Sequence, residues 1–176
     1  MPTDEELMTA AGRGDMDAFE ELIRRHQQLA INVAYRFLGN REEAEDLAQQ
    51  AFLNILERAE SYRPTAQFKT FLYRVVANAC MDYRRKKRPQ PRAFLPERES
   101  VSSDPGSRMA REERVEMVRE AIDGLPERQR MALVLQQYED LSYLEIADVM
   151  DCSRSAVESL LVRARRNLRD ALEDFF

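Results

Sequence analysis

The sequence predicts an all-α protein of two small helical domains joined by a flexible linker, the C-terminal domain closing with a helix-turn-helix. Apolar residues recur at helical spacing along most of the 176 residues, and Gly and Pro occur only five and seven times. Four of those prolines fall with Ser and Gly inside residues 89–110, which separates 1–88 from 111–176. A hydrophobic content of 44% is enough to build cores on both sides of that break.

The first helix is DEELMTAAG from Asp4, stopped by Gly12 and Gly14. Asp15 or Asp17 starts the second. Its inner stripe is Phe19, Leu22, Ile23, Leu29 or Ala30, Val33, Ala34 and Phe37, and Gly39-Asn40 ends it with a residue suited to positive φ. The lone His26 sits among charged residues and reads as a surface group. The third helix spans Asn40 to Glu60, with Ala44, Leu47, Ala48, Ala51, Ile55, Leu56 and Ala59 inward and acidic residues in its first turn, where they complement the helix dipole. One outer face then gathers Asp46, Gln49, Gln50, Leu53 and Asn54, with Phe52 at its margin. Charge, amide and apolar groups together suit a protein partner.

A loop, SYRPTAQ, offers Tyr62 and Arg63 beside Pro64. The following helix, FKTFLYRVVANACMDYRRKKR, is expected to bury Phe68, Phe71, Leu72, Val75, Val76, Ala79, Cys80 and Tyr83. Its outer face then presents Lys69, Thr70, Tyr73, Arg74, Asn78, Met81 and Asp82, and runs into Arg84, Arg85, Lys86, Lys87 and Arg88. Rings, amides and cations in alternation fit single-stranded nucleic acid, whose unpaired bases expose flat faces for stacking beside a charged backbone.

Past the linker a helical pattern resumes from Glu112 to Asp123, breaks at Gly124-Leu125-Pro126, and resumes through Met131, Ala132, Val134 and Leu135 until Asp140. Leu141 to Arg169 then reads as two helices about a tight turn. Ser142 and Glu145 have capping-box spacing, and Leu144, Ile146, Ala147 and Met150 form the inner side. Asp151 tolerates the left-handed turn, Cys152 points inward and Ser153 caps the next helix. That helix buries Val157, Leu160, Leu161, Ala164, Leu168, Ala171, Leu172 and Phe175, leaving Arg154, Ser155, Glu158, Ser159, Arg163 and Arg166 outside. The split matches a helix that reads duplex DNA.

Charge supports separate surfaces. The net charge of −5 divides into −7 over residues 1–60, +8 over 61–98 and −6 over 99–176, so one basic region for an anionic backbone lies between acidic flanks. Cys80 and Cys152 fall on apolar sides far apart and read as buried thiols in a reducing compartment. No His or Cys stands at ligand spacing, so neither metal nor cofactor is expected. No apolar run is long enough to span a bilayer and the start is acidic, which points to a soluble intracellular protein.

The order of these motifs resembles the bacterial RNA polymerase sigma factors, in particular the small extracytoplasmic-function class. REEAEDLAQQAFLNI is similar to the family's polymerase-binding helix, QFKTFLYRVVANACMDYRRKK to its promoter-melting and −10-reading helix, and LPERQRMALVLQQYEDLSYLEIADVMDCSRSAVESLLVRARRNL to its −35-reading domain. The resemblance implies that Asp46, Gln49, Gln50 and Phe52 bind core polymerase. It implies that Tyr62, Arg63, Lys69, Tyr73, Arg74 and Asn78 capture unstacked −10 bases, with Arg84 and Arg85 near the backbone. Arg128 and Arg130 would hold phosphate at the −35 element, and Arg154, Ser155, Glu158, Ser159, Arg163 and Arg166 would lie in or beside its major groove. The linker would thread polymerase towards the active-site cleft.

The same resemblance implies a free protein whose two domains pack together and hide their DNA faces, or are held by an anti-sigma factor. Phe71 stands where the family often has Trp, Glu158 where it often has a basic residue, and Leu160 where it often has Arg. Glu158 repels phosphate yet can accept a hydrogen bond from cytosine N4, so an altered base preference is expected. The competing reading is a helix-turn-helix regulator that acts on duplex operator DNA without polymerase. Such a protein has no need of Tyr73, Asn78 and the basic cluster. A nucleic-acid enzyme finds no support, because no carboxylate cluster suited to paired metals is evident.

Overall fold

A computed structural model describes residues 1–87 and 108–175. Arg88 and the predicted linker up to residue 107 lie outside the described residues. The described residues form eight α-helices and no strand.

The first four helices arise where local signals put them. α1 (Asp4–Gly12) starts at a capping box between Thr3 and Glu6. α2 (Met16–Leu38) is capped by Asp15, whose carboxylate accepts from the Ala18 amide, and ends at Gly39 with φ 77°. α3 (Arg41–Glu57) is capped by Asn40. It ends three residues before the expected Glu60, and a 3-10 turn at Ala59–Ser61 takes over the chain. α4 (Phe68–Lys87) is different. The Phe68 amide donates to Glu5 Oε1 of α1 at 2.8 Å, so the start of α4 is capped by a residue 63 positions earlier. Beside that cap, Asp4 takes an ion pair from Arg25 at 3.0 Å and lies 2.7 Å from His26 Nε2. His26 is therefore not the surface group expected: its ring is mostly buried and tilts against Phe68 at 5.4 Å.

In the second half, α5 (Arg108–Asp123) starts inside the predicted linker, four residues before Glu112. It leads through the Gly124–Pro126 break to α6 (Glu127–Gln137). α7 (Tyr143–Met150) opens on the Ser142–Glu145 capping box and closes at Asp151 in the left-handed region, φ 51°. α8 (Arg154–Leu172) is capped by Ser153. Leu144, expected inward, is 62% exposed. α7 buries Ile146, Ala147, Val149 and Met150, and at 3.6 residues per turn Leu144 points roughly 200° away from Ile146. In the α8 stripe Ala171 is likewise exposed, while Leu168, Leu172 and Phe175 are half-buried.

The halves are not separate bodies. α6 and α7 pack against α4, and α6 also against α2. Met131, Leu135, Ile146, Val149, Met150 and Leu161 belong to the same buried cluster as Leu22, Phe37, Leu72 and Val76. A small satellite of Leu125, Leu133 and Ala164 ties α8 to α6.

Close packing leaves one glycine no room: a Cβ on Gly12 would meet the Ala59 carbonyl oxygen at 2.5 Å. Gly12→Ala is expected to force α1 off the 3-10 turn and to cost about 1–3 kcal/mol, the range for overpacking. Urea unfolding of the variant beside the parent checks this, and an unchanged midpoint would mean α1 does not pack there.

Candidate nucleic-acid interface

On α3, Asp46, Gln49 and Gln50 are exposed, and Gln50 donates to Asn54 at 3.1 Å. Phe52 is not with them. It is 4% exposed and stands edge-on to Phe19, ring centroids 6.4 Å apart, so it belongs to the core. The exposed apolar group on this face is Leu53, at 49%.

The loop before α4 makes a cleft of about 250 Å³ lined by Arg58, Tyr62, Arg63, Thr70, Phe71 and Arg74 among others. Tyr62 lies half-buried against Phe71 at 5.4 Å, and its buried hydroxyl has no hydrogen-bond partner among the described residues. Arg63 is exposed and, among the described residues, donates to the neighbouring Tyr62 carbonyl at 2.9 Å. A planar group flanked by rings and guanidinium cations is what this cleft can hold.

Along α4, Lys69 and Asn78 are exposed as expected, the Lys69 Nζ lying 6.0 Å from the Tyr73 ring centre. Tyr73 itself departs from expectation. It is 3% exposed and its hydroxyl donates to Glu139 Oε2 at 2.8 Å. Burial, reinforced by that carboxylate, pushes the phenol well above its ordinary pKa, so it stays a neutral donor. Arg74 reaches across to donate through Nε and Nη2 to the Asp148 carbonyl, at 3.2 and 2.7 Å. Met81 is buried as well. Tyr73, Ala77 and Met81 stand at i, i+4 and i+8, a second apolar row beside the first, and α6 and α7 cover it. That row was the available signal. At the C-terminal end of the helix, Arg84 donates to the Asp123 carbonyl, Arg85 pairs with Asp82 at 3.4 Å, and Lys87 pairs with Glu43.

In the second half, Arg130 was expected to hold phosphate. It is 1% exposed, its guanidinium stacked over Phe37 at 5.0 Å and paired with Asp123, so it is unavailable to DNA in this arrangement. Arg128 is exposed and donates weakly to the Met150 carbonyl at 3.4 Å. The outer face of α8 is open. Arg154, Ser155, Glu158, Ser159, Arg163 and Arg166 are all exposed there. The two faces expected to meet DNA thus differ: that of α4 is partly covered and that of α8 is not.

Both cysteines are free thiols, and burial pushes the Cys80 thiol far above its ordinary pKa, which makes it inert. Among the described residues no group of His, Cys, Asp and Glu could hold a metal, and no helix is long and apolar enough to cross a membrane.

Comparison with known proteins adds independent findings. Residues 22–90 match the family model for Sigma-70 region 2, and residues 115–168 match that for Sigma-70, region 4. The RNA polymerase sigma-H factor of Pseudomonas aeruginosa is 32% identical, over 97% of this chain and 94% of that protein. The ECF RNA polymerase sigma-E factor of Escherichia coli K12 is 30% identical, over 97% of this chain and 95% of its own. The solved structure of CnrH in complex with the cytosolic domain of CnrY superposes with a TM-score of 0.70 at 26% identity, covering 98% of this chain and 99% of that one.

The burial pattern sets an order of chemical reactivity. Tyr138 and Tyr35, at 48% and 39% exposed, should be nitrated by tetranitromethane well before Tyr73. Peptide mass spectrometry at short reaction times reads this directly, and equal labelling of Tyr73 and Tyr138 would mean that α6 and α7 do not cover α4 in solution.

Proposed function

We propose that this chain, which belongs to the extracytoplasmic-function class of bacterial RNA polymerase sigma factors, divides promoter recognition between its two halves. Residues 1–88 form the unit that binds core polymerase and reads and melts the −10 element. Residues 89–110 hold the linker, its last three residues already in α5, and 111–176 form the unit that reads the −35 element. The observation that carries the assignment is the coexistence, in one chain, of a region 2 match holding the ring-and-cation cleft ahead of α4 and a region 4 match holding the open face of α8.

The chemistry asked of each half differs. At −35 the DNA stays duplex, so α8 offers hydrogen-bonding side chains to base edges while arginines hold phosphates. At −10 the strands must part. Taking a base out of the stack costs a few kcal/mol, and stacking on an aromatic ring returns roughly 1–3 kcal/mol per base. Tyr62, with Arg63 and Arg74 beside it, supplies that return, and Lys69 and Asn78 extend the surface. Bond formation between nucleotides belongs to the polymerase, and this chain acts as its dissociable promoter-reading subunit in the cytoplasm, where core enzyme and promoter meet.

In the free protein Tyr73 and Arg74 lie against Glu139 and Asp148. Engaging −10 DNA therefore requires α6 and α7 to leave α4, and binding of core polymerase drives that separation. An anti-sigma factor controls it by holding the free form. Asp46, Gln49 and Gln50, exposed on α3 with Leu53 among them, supply the polymerase contact, with Phe52 supporting them from the core.

Size-exclusion chromatography with sigma-free core RNA polymerase tests the assignment, with Asp46→Arg run beside the parent. The parent is expected to co-elute with core, and the charge reversal to weaken the complex at least tenfold. If the parent fails to bind core yet binds duplex DNA alone, the chain works as a helix-turn-helix regulator.

A further inference from the structure

Arg154 and Glu158 occupy the N-terminal part of α8, the end that helix-turn-helix proteins set against base edges. They stand one turn apart with both side chains exposed, and their closest approach is Arg154 Nε to Glu158 Oε1 at 3.4 Å. An exposed pair of this kind adds little to stability, so its stabilising effect does not explain a carboxylate on a face meant for a polyanion. Its geometry does. Nε is the guanidinium nitrogen nearest the carboxylate, in an ion pair without a hydrogen bond, and the end-on pair Nη1 and Nη2 remains to meet an acceptor. The ion pair also biases the long Arg side chain towards one side of the helix before DNA arrives, a small reduction in the entropic cost of binding.

Two parallel N–H donors need two acceptors side by side. In the major groove only guanine offers them, at O6 and N7. Adenine pairs an acceptor with a donor, thymine offers one acceptor and a methyl group, and cytosine offers a donor. We propose that Arg154 reads a guanine in the −35 element and that Glu158 is its positioning residue, holding the guanidinium rather than reading a cytosine by itself. The neutralised pair leaves Arg163 and Arg166, further along the same exposed face, to hold phosphate. This inference rests on the assignment of α8 as the −35-reading helix.

The test is selection of a randomised −35 library by reconstituted holoenzyme, with parent, Arg154→Ala, Glu158→Ala, Glu158→Gln and the Arg154→Ala/Glu158→Ala double variant. The parent should enrich guanine at one position. Arg154→Ala should lower that preference about tenfold, as for the loss of one bidentate contact. Either Glu158 variant should weaken the same preference about threefold, and in the double variant the loss of Glu158 should add nothing. Three outcomes overturn the proposal: a Glu158 effect confined to a different position that prefers cytosine, no change of preference in any Glu158 variant, or an Arg154→Ala loss that is uniform over all sequences with a shallower salt dependence, the mark of a phosphate contact. If the parent holoenzyme selects no −35 sequence at all, the assignment of α8 fails, and this inference with it.

Discussion

The seam between α4 and the pair α6–α7 is the contact on which the arrangement of the molecule depends. Its strength is apolar, since residues from both halves enter one buried cluster and each fully buried aliphatic or aromatic side chain contributes about 1.5–3 kcal/mol. Its geometry is set by polar links at the edges, Tyr73 to Glu139 and Arg74 to the Asp148 carbonyl, while Arg130 of α6 stacks on Phe37 of α2 beside the seam. Hydrogen bonds of this kind contribute about 1 kcal/mol net. They matter more as a register, because sliding α7 along α4 would leave a phenol or a guanidinium without its acceptor.

Most of the local structure was legible in the sequence because its signals are local. Asp15, Asn40, Ser142 and Ser153 cap the helices they precede, and Gly39 and Asp151 take the left-handed positions their chemistry suits. The misreadings come from tertiary contacts. Tyr73 and Arg130 look like DNA-facing groups until a partner helix is laid over them, and Phe52 sits one residue from the exposed Leu53, a difference decided by where Phe19 lies. His26 was drawn inward by Asp4 and Phe68, from elements distant in sequence. Periodicity gives the direction of a side chain around its own axis. It does not say which second face another helix will occupy.

The two faces proposed to meet DNA carry different risks, and the fold treats them differently. The face of α8 is polar and charged and can stand in water without loss. The face of α4 carries Tyr73 and Met81 in its apolar row, and exposing them has a cost. Covering α4 with α6 and α7 satisfies that row, and on the proposed function it makes access to single-stranded DNA conditional on a rearrangement within the chain.

The shared core also sets the fate of a molecule that opens without a partner. Separating the halves would open the one buried cluster that holds Met131, Leu135, Ile146 and Val149 from one side and Tyr73, Ala77 and Met81 from the other. Such patches are recognised by chaperones and proteases and seed aggregation. If core polymerase opens the chain as proposed, the open form is short-lived wherever unoccupied core enzyme is scarce.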